Sequence, residues 1–214
     1  MHKEKINNRV LGITGGMGAG KSHVCKMFAK NGIPVYDCDS RVKDILNDND
    51  FLASAIIEKF GKDCYKNGRW NRDHVIELGK QNPNLITEMG IIIEPFLVDD
   101  FKEFKDTYQS GNSTGYVSEL VAIESAILYK SKLLMEEVDN ILVVSAPLPL
   151  RLERIKSRDP FRSDREIQML LDKQNFPIPF CEIDFTIDND GTTNIEESVK
   201  SIIDRLTSKT LIKI

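Results

Sequence analysis

Short apolar runs alternate along most of the chain with segments that have the spacing of amphipathic helices. The runs that predict β-strands are Arg9–Thr14, Ile33–Tyr36, Tyr116–Ile123, Asn140–Ala146 and Phe185–Ile187. The segments between and after them that predict helices are Lys21–Asn31, which Gly32 closes, then Pro149–Ser157, and a last helix from Thr193. This alternation predicts a three-layer α/β fold in which helices cover both faces of a five-stranded parallel sheet.

The last predicted helix has the clearest pattern. Thr193 followed by Glu196 has the spacing of a capping box, which predicts the first turn. Five apolar residues then recur at helical spacing and predict the buried face. They are Ile195, Val199, Ile202, Ile203 and Leu206.

The alternation is interrupted between about Phe51 and Tyr108, where the pattern is mainly helical. We interpret residues 50–114 as an insertion into a single core made of residues 8–49, 115–158 and 183–214. Within the insertion, KFGKDCYKNGRWNR carries the turn signal Asn-Gly. The polar, glycine-rich TYQSGNSTGY (Thr107–Tyr116) predicts a connector.

The stretch from Gly15 to Ser22 fits the pattern G-x-x-x-x-G-K-[ST] between the first strand and the first helix. Such a loop aims several backbone N–H groups at one point, and the helix N-terminus adds partial positive charge. The loop therefore predicts a cradle for a nucleotide triphosphate such as ATP. The alternative is a glycine-rich turn that binds nothing.

Particular loop residues follow from this prediction. Lys21 is expected on the β- and γ-phosphates, and the Ser22 hydroxyl is expected to bind Mg²⁺. His23 lies near the α-phosphate, or it only packs or faces solvent. The residues expected to contact the nucleotide through the loop backbone are Gly16, Gly18, Ala19 and Gly20.

Carboxylates follow two of the predicted strands. Asp37 and Asp39 stand at the carboxyl edge of the second strand, where ligands bind in open α/β sheets. A carboxylate there can orient or deprotonate an attacking hydroxyl group. The alternative is that Asp39 or Ser40 only caps the next helix. Glu124 ends the third strand, where it holds Mg²⁺ through water or is a plain surface glutamate.

Arginines follow the fourth strand. Arg151, Arg154 and Arg158 have i, i+3, i+7 spacing and share one helical face, with Arg162 and Arg165 beyond them. Phosphoryl transfer needs cations around the migrating group and excludes water. The alternative is a solvated basic face.

Composition narrows the class of partners. The 214 residues carry a net charge of −4, and the pI is about 5.5. The chain therefore lacks the overall basic excess that would indicate nucleic-acid binding. The N-terminal MHKEKINNR lacks the apolar stretch of a signal peptide, and no apolar run is long enough for a membrane span. The cysteines show neither CxxC nor zinc spacing and predict reduced thiols in a cytoplasmic protein. They are Cys25, Cys38, Cys64 and Cys181.

With these residues identified, the sequence resembles the dephospho-coenzyme A kinase family. The likeness is strongest at LGITGGMGAGKS and NGIPVYDCD, where the family reads close to GLTGGIGSGKST and GIPVIDAD. It implies a P-loop NTPase fold with a helical acceptor-binding insertion and a helical lid (159–182). It also implies transfer of the γ-phosphoryl group of MgATP to the ribose 3′-hydroxyl of dephospho-CoA. Asp39 falls on the family's second aspartate, which implies that it orients or deprotonates that hydroxyl.

The resemblance assigns further residues. GRWNR makes Arg72 a candidate contact for the acceptor, and Asp37 and Glu124 join it as substrate-binding candidates. LERIKSRD implies that Arg154 and Arg158 contact the nucleotide, with Arg154 and Lys21 neutralising charge on the migrating group. IDNDG implies that Asn189 lies beside the adenine.

The chain also departs from the family pattern. EPF (Glu94–Phe96) replaces the usual His-Pro, and Leu170 stands where an arginine is frequent, although Gln174 is kept. We expect Arg165 to cover the missing arginine. The expected protein is a monomer or small homo-oligomer. The alternatives are a P-loop kinase for another small acceptor and a non-catalytic nucleotide-binding switch.

Overall fold

The computed structural model describes residues 8–110, 117–173 and 182–207. Its main sheet has five parallel strands in the order β2-β5-β1-β6-β7, which confirms the predicted fold class. The strands are β1 (Arg9–Thr14), β2 (Val35–Asp37), β5 (Leu120–Glu124), β6 (Asn140–Ser145) and β7 (Phe185–Asp188). A separate two-stranded sheet contains β3 (Tyr65–Lys66) and β4 (Arg69–Trp70).

Helices occupy the segments between the strands. They are α1 (Lys21–Lys30), α2 (Cys38–Asp48), α3 (Asp50–Phe60), α4 (Arg72–Gln81), α5 (Pro83–Ser110), α6 (Lys132–Met135), α7 (Leu148–Arg158), α8 (Asp164–Lys173) and α9 (Ile195–Thr207). No helix in the described ranges is long and apolar enough to cross a membrane.

Strand β1 lies at the centre of the sheet, between β5 and β6. Ile13 stands in register with Glu124 on one side and with Leu142 on the other. Because these strands are parallel, their carboxyl ends meet at one edge of the sheet. The loop after β1 therefore leaves the sheet beside the last residue of β5.

The described residues form two compact units. The first contains the described residues up to Tyr36 and from Lys105 onward. In its core, Leu11 and Ile13 of β1 pack with Phe28 of α1, and all three side chains are fully buried. Burial of one such side chain contributes about 2 kcal/mol. The predicted α9 stripe is confirmed, because Val199, Ile202 and Leu206 are buried in this core and Ile195 and Ile203 pack against it.

The second unit runs from Asp37 to Phe104. It includes α2, which the sequence analysis placed in the core of residues 8–49. The predicted Asn-Gly turn is confirmed as the tip of the β3–β4 hairpin, where Asn67 and Gly68 have φ angles of 52° and 73°. Two successive positive φ angles are what a two-residue hairpin of this type requires.

Three local predictions were wrong. The cap of α9 lies one residue later than predicted, since Asn194 Oδ1 accepts from the Glu197 amide and Asn194 Nδ2 donates back to the Glu197 carboxylate. Helix α5 continues to Ser110, through the first part of the predicted connector. Strand β5 begins only at Leu120. Predictions for residues 111–116, for Gln174 and Cys181, and for the rest of 174–181 in the lid, lie outside the described residues.

Candidate functional site

The glycine-rich loop turns sharply between β1 and α1, and neighbouring elements press against it. Gly18 and Gly20 have φ angles of 78° and 94°, which residues other than glycine rarely adopt. A Cβ on Gly20 would lie 2.0 Å from Asn189 Nδ2, and one on Gly18 would lie 2.6 Å from the Arg151 carbonyl oxygen. Glycine is required at both positions by the backbone angle and by the close approach.

The loop presents unused backbone donors. Helix α1 begins after Gly20 without a side-chain cap. Within the described ranges, no protein group accepts a hydrogen bond from the amides of Gly18, Gly20, Lys21 or Ser22. Helix N-termini normally satisfy such donors with a cap, water or a ligand. Unused amides at a helix N-terminus, where the helix dipole is positive, suit a phosphate group.

The Lys21 ammonium lies 3.6 Å from the Glu124 carboxylate, and each side chain is only 11% exposed. Glu124 is therefore a buried group at the end of β5, and the alternative of a surface glutamate is wrong. Ser22 and His23 are exposed in the first turn of α1. The packing alternative for His23 is thereby excluded.

The oxygen ligands near the loop suit Mg²⁺ better than they suit a soft metal ion. The described residues contain no group of three or more His, Cys, Asp or Glu side chains arranged to hold a metal ion. Mg²⁺ commonly takes only one or two protein oxygens and completes its shell with phosphate and water. The exposed Ser22 hydroxyl and the Glu124 carboxylate at the strand end fit that habit.

The arginines of α7 have three different environments. Arg154 Nη2 donates to the backbone and side-chain oxygens of Asn189 (3.1 and 3.3 Å), and Nη1 makes longer contacts to the carbonyls of Gly18 and Ala19. Arg158 is exposed and pairs with Asp159 at 2.8 Å, and this hydrogen bond raises the pKa of Arg158. Arg151 Nε donates to the Met17 carbonyl at 2.8 Å.

Asn189 binds the loop from the end of β7. Its Nδ2 donates to the Ala19 carbonyl at 2.9 Å, and its backbone amide donates to Ser145 at the end of β6. The side chain expected beside the adenine thus joins the loop to Arg154.

Asp37 and Asp39 belong to the second unit and differ in their contacts. Asp37 caps α2, because its carboxylate accepts from the Ser40 amide at 3.0 Å and from the Ser40 hydroxyl. Asp39 is exposed in the first turn of the same helix. The alternative in which Asp39 or Ser40 is the cap is therefore wrong. Arg72 is exposed at the first position of α4, which Asn71 caps.

Helix α8 carries the remaining predicted residue. Arg165 is exposed there, while Ile167 and Leu171 pack with Ile155 of α7. A cavity of about 380 Å³, which we call the loop cavity, lies between this helix pair and the glycine-rich loop. Its lining includes Gly15, Gly16, Arg151, Gln168, Leu171 and Asp172.

Arg151 was only one member of the arginine face in the sequence analysis, and no separate role was given to it. The structure places it directly over the loop. The sequence contains no signal that singles it out, because Arg154 and Arg158 share its helical face.

The loop and the strand order define a protein of the P-loop NTPase fold. A model of the family described as dephospho-CoA kinase matches residues 9–194. The chain therefore belongs to the dephospho-CoA kinase family, whose members transfer phosphate from ATP to an alcohol group.

Two relatives agree with this assignment, and two solved structures share the fold. The chain is 34% identical to a dephospho-CoA kinase of Porphyromonas gingivalis over 164 residues, 77% of each protein. It is 32% identical to one of Coxiella burnetii, over 77% of this chain and 79% of that protein. Two structures share the fold: TT1252 from Thermus thermophilus (TM-score 0.73, 21% identity, 94% and 99% covered) and the dephospho-CoA kinase from Campylobacter jejuni (TM-score 0.65, 19% identity, 92% and 96% covered).

Proposed function

We propose that the chain catalyses the last step of coenzyme A biosynthesis by transferring the γ-phosphoryl group of MgATP to the ribose 3′-hydroxyl of dephospho-CoA. The bond from the γ-phosphorus to the bridging oxygen breaks, a bond to the 3′-oxygen forms, and ADP leaves. The observation that carries this proposal is the loop itself, with unused amides at the start of α1 and Lys21 at the same point.

Each loop residue has a proposed part in binding the triphosphate. The loop amides bind phosphate oxygens, and Lys21 leaves Glu124 to contact the β- and γ-phosphates. Mg²⁺, when bound through Ser22, neutralises charge on the phosphates. Arg154 acts on the nucleotide through the loop, because its donors hold the carbonyls of Gly18 and Ala19 and the Asn189 side chain.

The acceptor requires a second set of groups. We assign to Asp39 the orientation or deprotonation of the 3′-hydroxyl, since its exposed carboxylate is not the one that caps α2. Arg72 is a proposed acceptor contact because it is an exposed cation at the start of α4. Arg158 and Arg165 are exposed cations that a closing lid brings to the nucleotide.

The cellular setting is also a proposal. Cys64, in the described part of the chain, is a free thiol, which is usual for a protein of the cytoplasm. We propose that the protein is a monomer or a small homo-oligomer.

The deciding experiment is ADP release with dephospho-CoA as the sole added acceptor, beside a panel of nucleosides and nucleoside monophosphates. We expect dephospho-CoA to give the highest kcat/KM, and the product to carry its new phosphate on the 3′-oxygen. Strong turnover of a nucleoside monophosphate with none of dephospho-CoA would show another acceptor. Tight ATP binding with no acceptor-dependent ADP release would indicate a nucleotide switch.

A further inference from the structure

Three arginines project from α7, but only one of them keeps unused donors at the loop. Arg158 is paired with Asp159, and both terminal nitrogens of Arg154 contact carbonyl oxygens. Arg151 donates only through Nε, to the Met17 carbonyl. Among the described residues, its two terminal nitrogens donate no hydrogen bond, and no carboxylate forms an ion pair with it.

This arrangement is costly unless an anion joins it. The Arg151 side chain is partly buried, and burial lowers the pKa of its guanidinium. A desolvated cation without a counter-charge destabilises a folded protein. The guanidinium lines the loop cavity, whose volume of about 380 Å³ leaves room for a ligand group. A phosphate oxygen suits these two nitrogens, because a guanidinium presents its donors as a planar fork.

Gly16 makes room for this guanidinium. A Cβ on Gly16 would lie 2.3 Å from Arg151 Nη2, closer than two such atoms can approach. The backbone of Gly16 does not have a positive φ angle, and the G-x-x-x-x-G-K-[ST] pattern accepts any residue there. A side chain at position 16 would therefore have to displace the end of the Arg151 side chain from its place over the loop.

We infer that Arg151 is a phosphate-binding residue of this enzyme, whose guanidinium lies over Gly16 and contacts a phosphate oxygen of one of the two substrates. This inference rests on the proposed function for the identity of those substrates. The shared chemistry is an anionic phosphate oxygen, which belongs either to the γ-phosphate of ATP or to the diphosphate of dephospho-CoA.

The test compares binding of a non-hydrolysable ATP analogue, ADP and dephospho-CoA by calorimetry. The variants are Arg151→Gln, Arg151→Lys and Gly16→Ala. The matched control is Lys156→Gln, which removes an exposed cation of the same helix that pairs with Asp164. Gly16→Ala keeps the loop amide and displaces only the flexible end of Arg151, so the variant is expected to fold.

We expect Arg151→Gln to weaken the binding of one substrate by about 10- to 100-fold, the usual loss for one hydrogen bond to a charged group. If Arg151 contacts the γ-phosphate, the affinity for the ATP analogue falls, while the affinity for ADP changes less than about twofold. If Arg151 contacts the diphosphate of the acceptor, the affinity for dephospho-CoA falls, and both nucleotides bind as they do to the wild-type protein. Gly16→Ala should reproduce the selective loss, Arg151→Lys should recover part of the affinity, and the control should bind like wild type.

The inference is overturned if Arg151→Gln binds all three ligands like wild type, or if Gly16→Ala does. It is also overturned if all three affinities fall equally together with the unfolding temperature, because that pattern indicates only a structural role through Met17. Failure of the proposed function looks different. In that case the wild-type protein does not phosphorylate dephospho-CoA, while the ATP and ADP measurements still decide the role of Arg151.

Discussion

The ammonium group of Lys21 lies 3.6 Å from the carboxylate of Glu124, and both side chains are nearly buried. Lys21 opens α1 and Glu124 closes β5, so the pair joins the phosphate loop to the neighbouring strand. Two buried charges of opposite sign are tolerated together, whereas either one alone is strongly destabilising. In the proposed function, a bound triphosphate replaces Glu124 as the partner of Lys21.

Replacing Lys21 tests this exchange. We expect Lys21→Met to abolish phosphoryl transfer, weaken ATP binding and lower the free energy of unfolding by roughly 2–4 kcal/mol, because Glu124 is left without its partner. The double variant Lys21→Met/Glu124→Gln should regain most of that stability but no activity. Urea unfolding and ADP release measure the two effects. A single variant as stable as wild type would show that the pair does not form in solution.

Asp39 is the residue that we propose to orient or deprotonate the acceptor hydroxyl. We expect Asp39→Asn to keep ATP affinity and lower kcat by about 100- to 10,000-fold, the usual contribution of a general base. Asp48→Asn is the matched control, because Asp48 is an exposed carboxylate at the other end of the same helix. ADP release with dephospho-CoA gives the rates. Turnover of Asp39→Asn at the wild-type rate would remove Asp39 from the mechanism.

Features set by a few neighbouring residues could be predicted from the sequence. The phosphate loop and the Asn67–Gly68 turn are examples, because both depend on backbone angles that glycine or asparagine adopts locally. The α9 stripe was also predictable from its spacing. The cap of α9 was placed wrongly because Thr193 and Asn194 are both good caps and each has a glutamate three residues on.

Features that depend on distant elements could not be predicted in this way. The burial of Glu124 follows from the position of β5 inside the sheet, and strand order cannot be derived from an apolar run. The same limit applies to Arg151, Arg154 and Arg158. Their spacing places them on one helical face, but their different partners come from the loop, from Asn189 and from Asp159.

Asp37 combines a confirmed structural contact with a proposed role in acceptor binding, and two variants separate them. We expect Asp37→Ala to lower the free energy of unfolding by about 1 kcal/mol, the usual value of a helix cap. Asp37→Asn should keep the cap, since an amide oxygen also accepts from the Ser40 amide. Thermal unfolding measures stability, and the KM for dephospho-CoA measures the role. An unchanged KM in Asp37→Asn would leave Asp37 with the structural role alone.

The hairpin of the second unit should give the protein a specific sensitivity to alkali. Tyr65 donates its phenolic hydrogen to the Leu46 carbonyl at 2.8 Å. Burial, with a smaller effect of the Cys64 thiolate, raises the pKa of Tyr65 from 10.0 to about 12. Between these two pH values the unfolded chain releases a proton that the folded protein keeps. The contribution of Tyr65 to stability is therefore complete below pH 10 and is lost as the pH rises towards 12.

Comparison with Tyr65→Phe isolates this contribution, because every other titrating group is common to both proteins. Below pH 10 we expect the variant to be less stable by about 1 kcal/mol, the value of one hydrogen bond. The difference should shrink steadily from pH 10 to pH 12. Trp70 is the only tryptophan and its ring lies 5.5 Å from that of Tyr65, so its fluorescence reports unfolding of this hairpin. A stability difference that stays constant over this pH range would contradict the raised pKa of Tyr65.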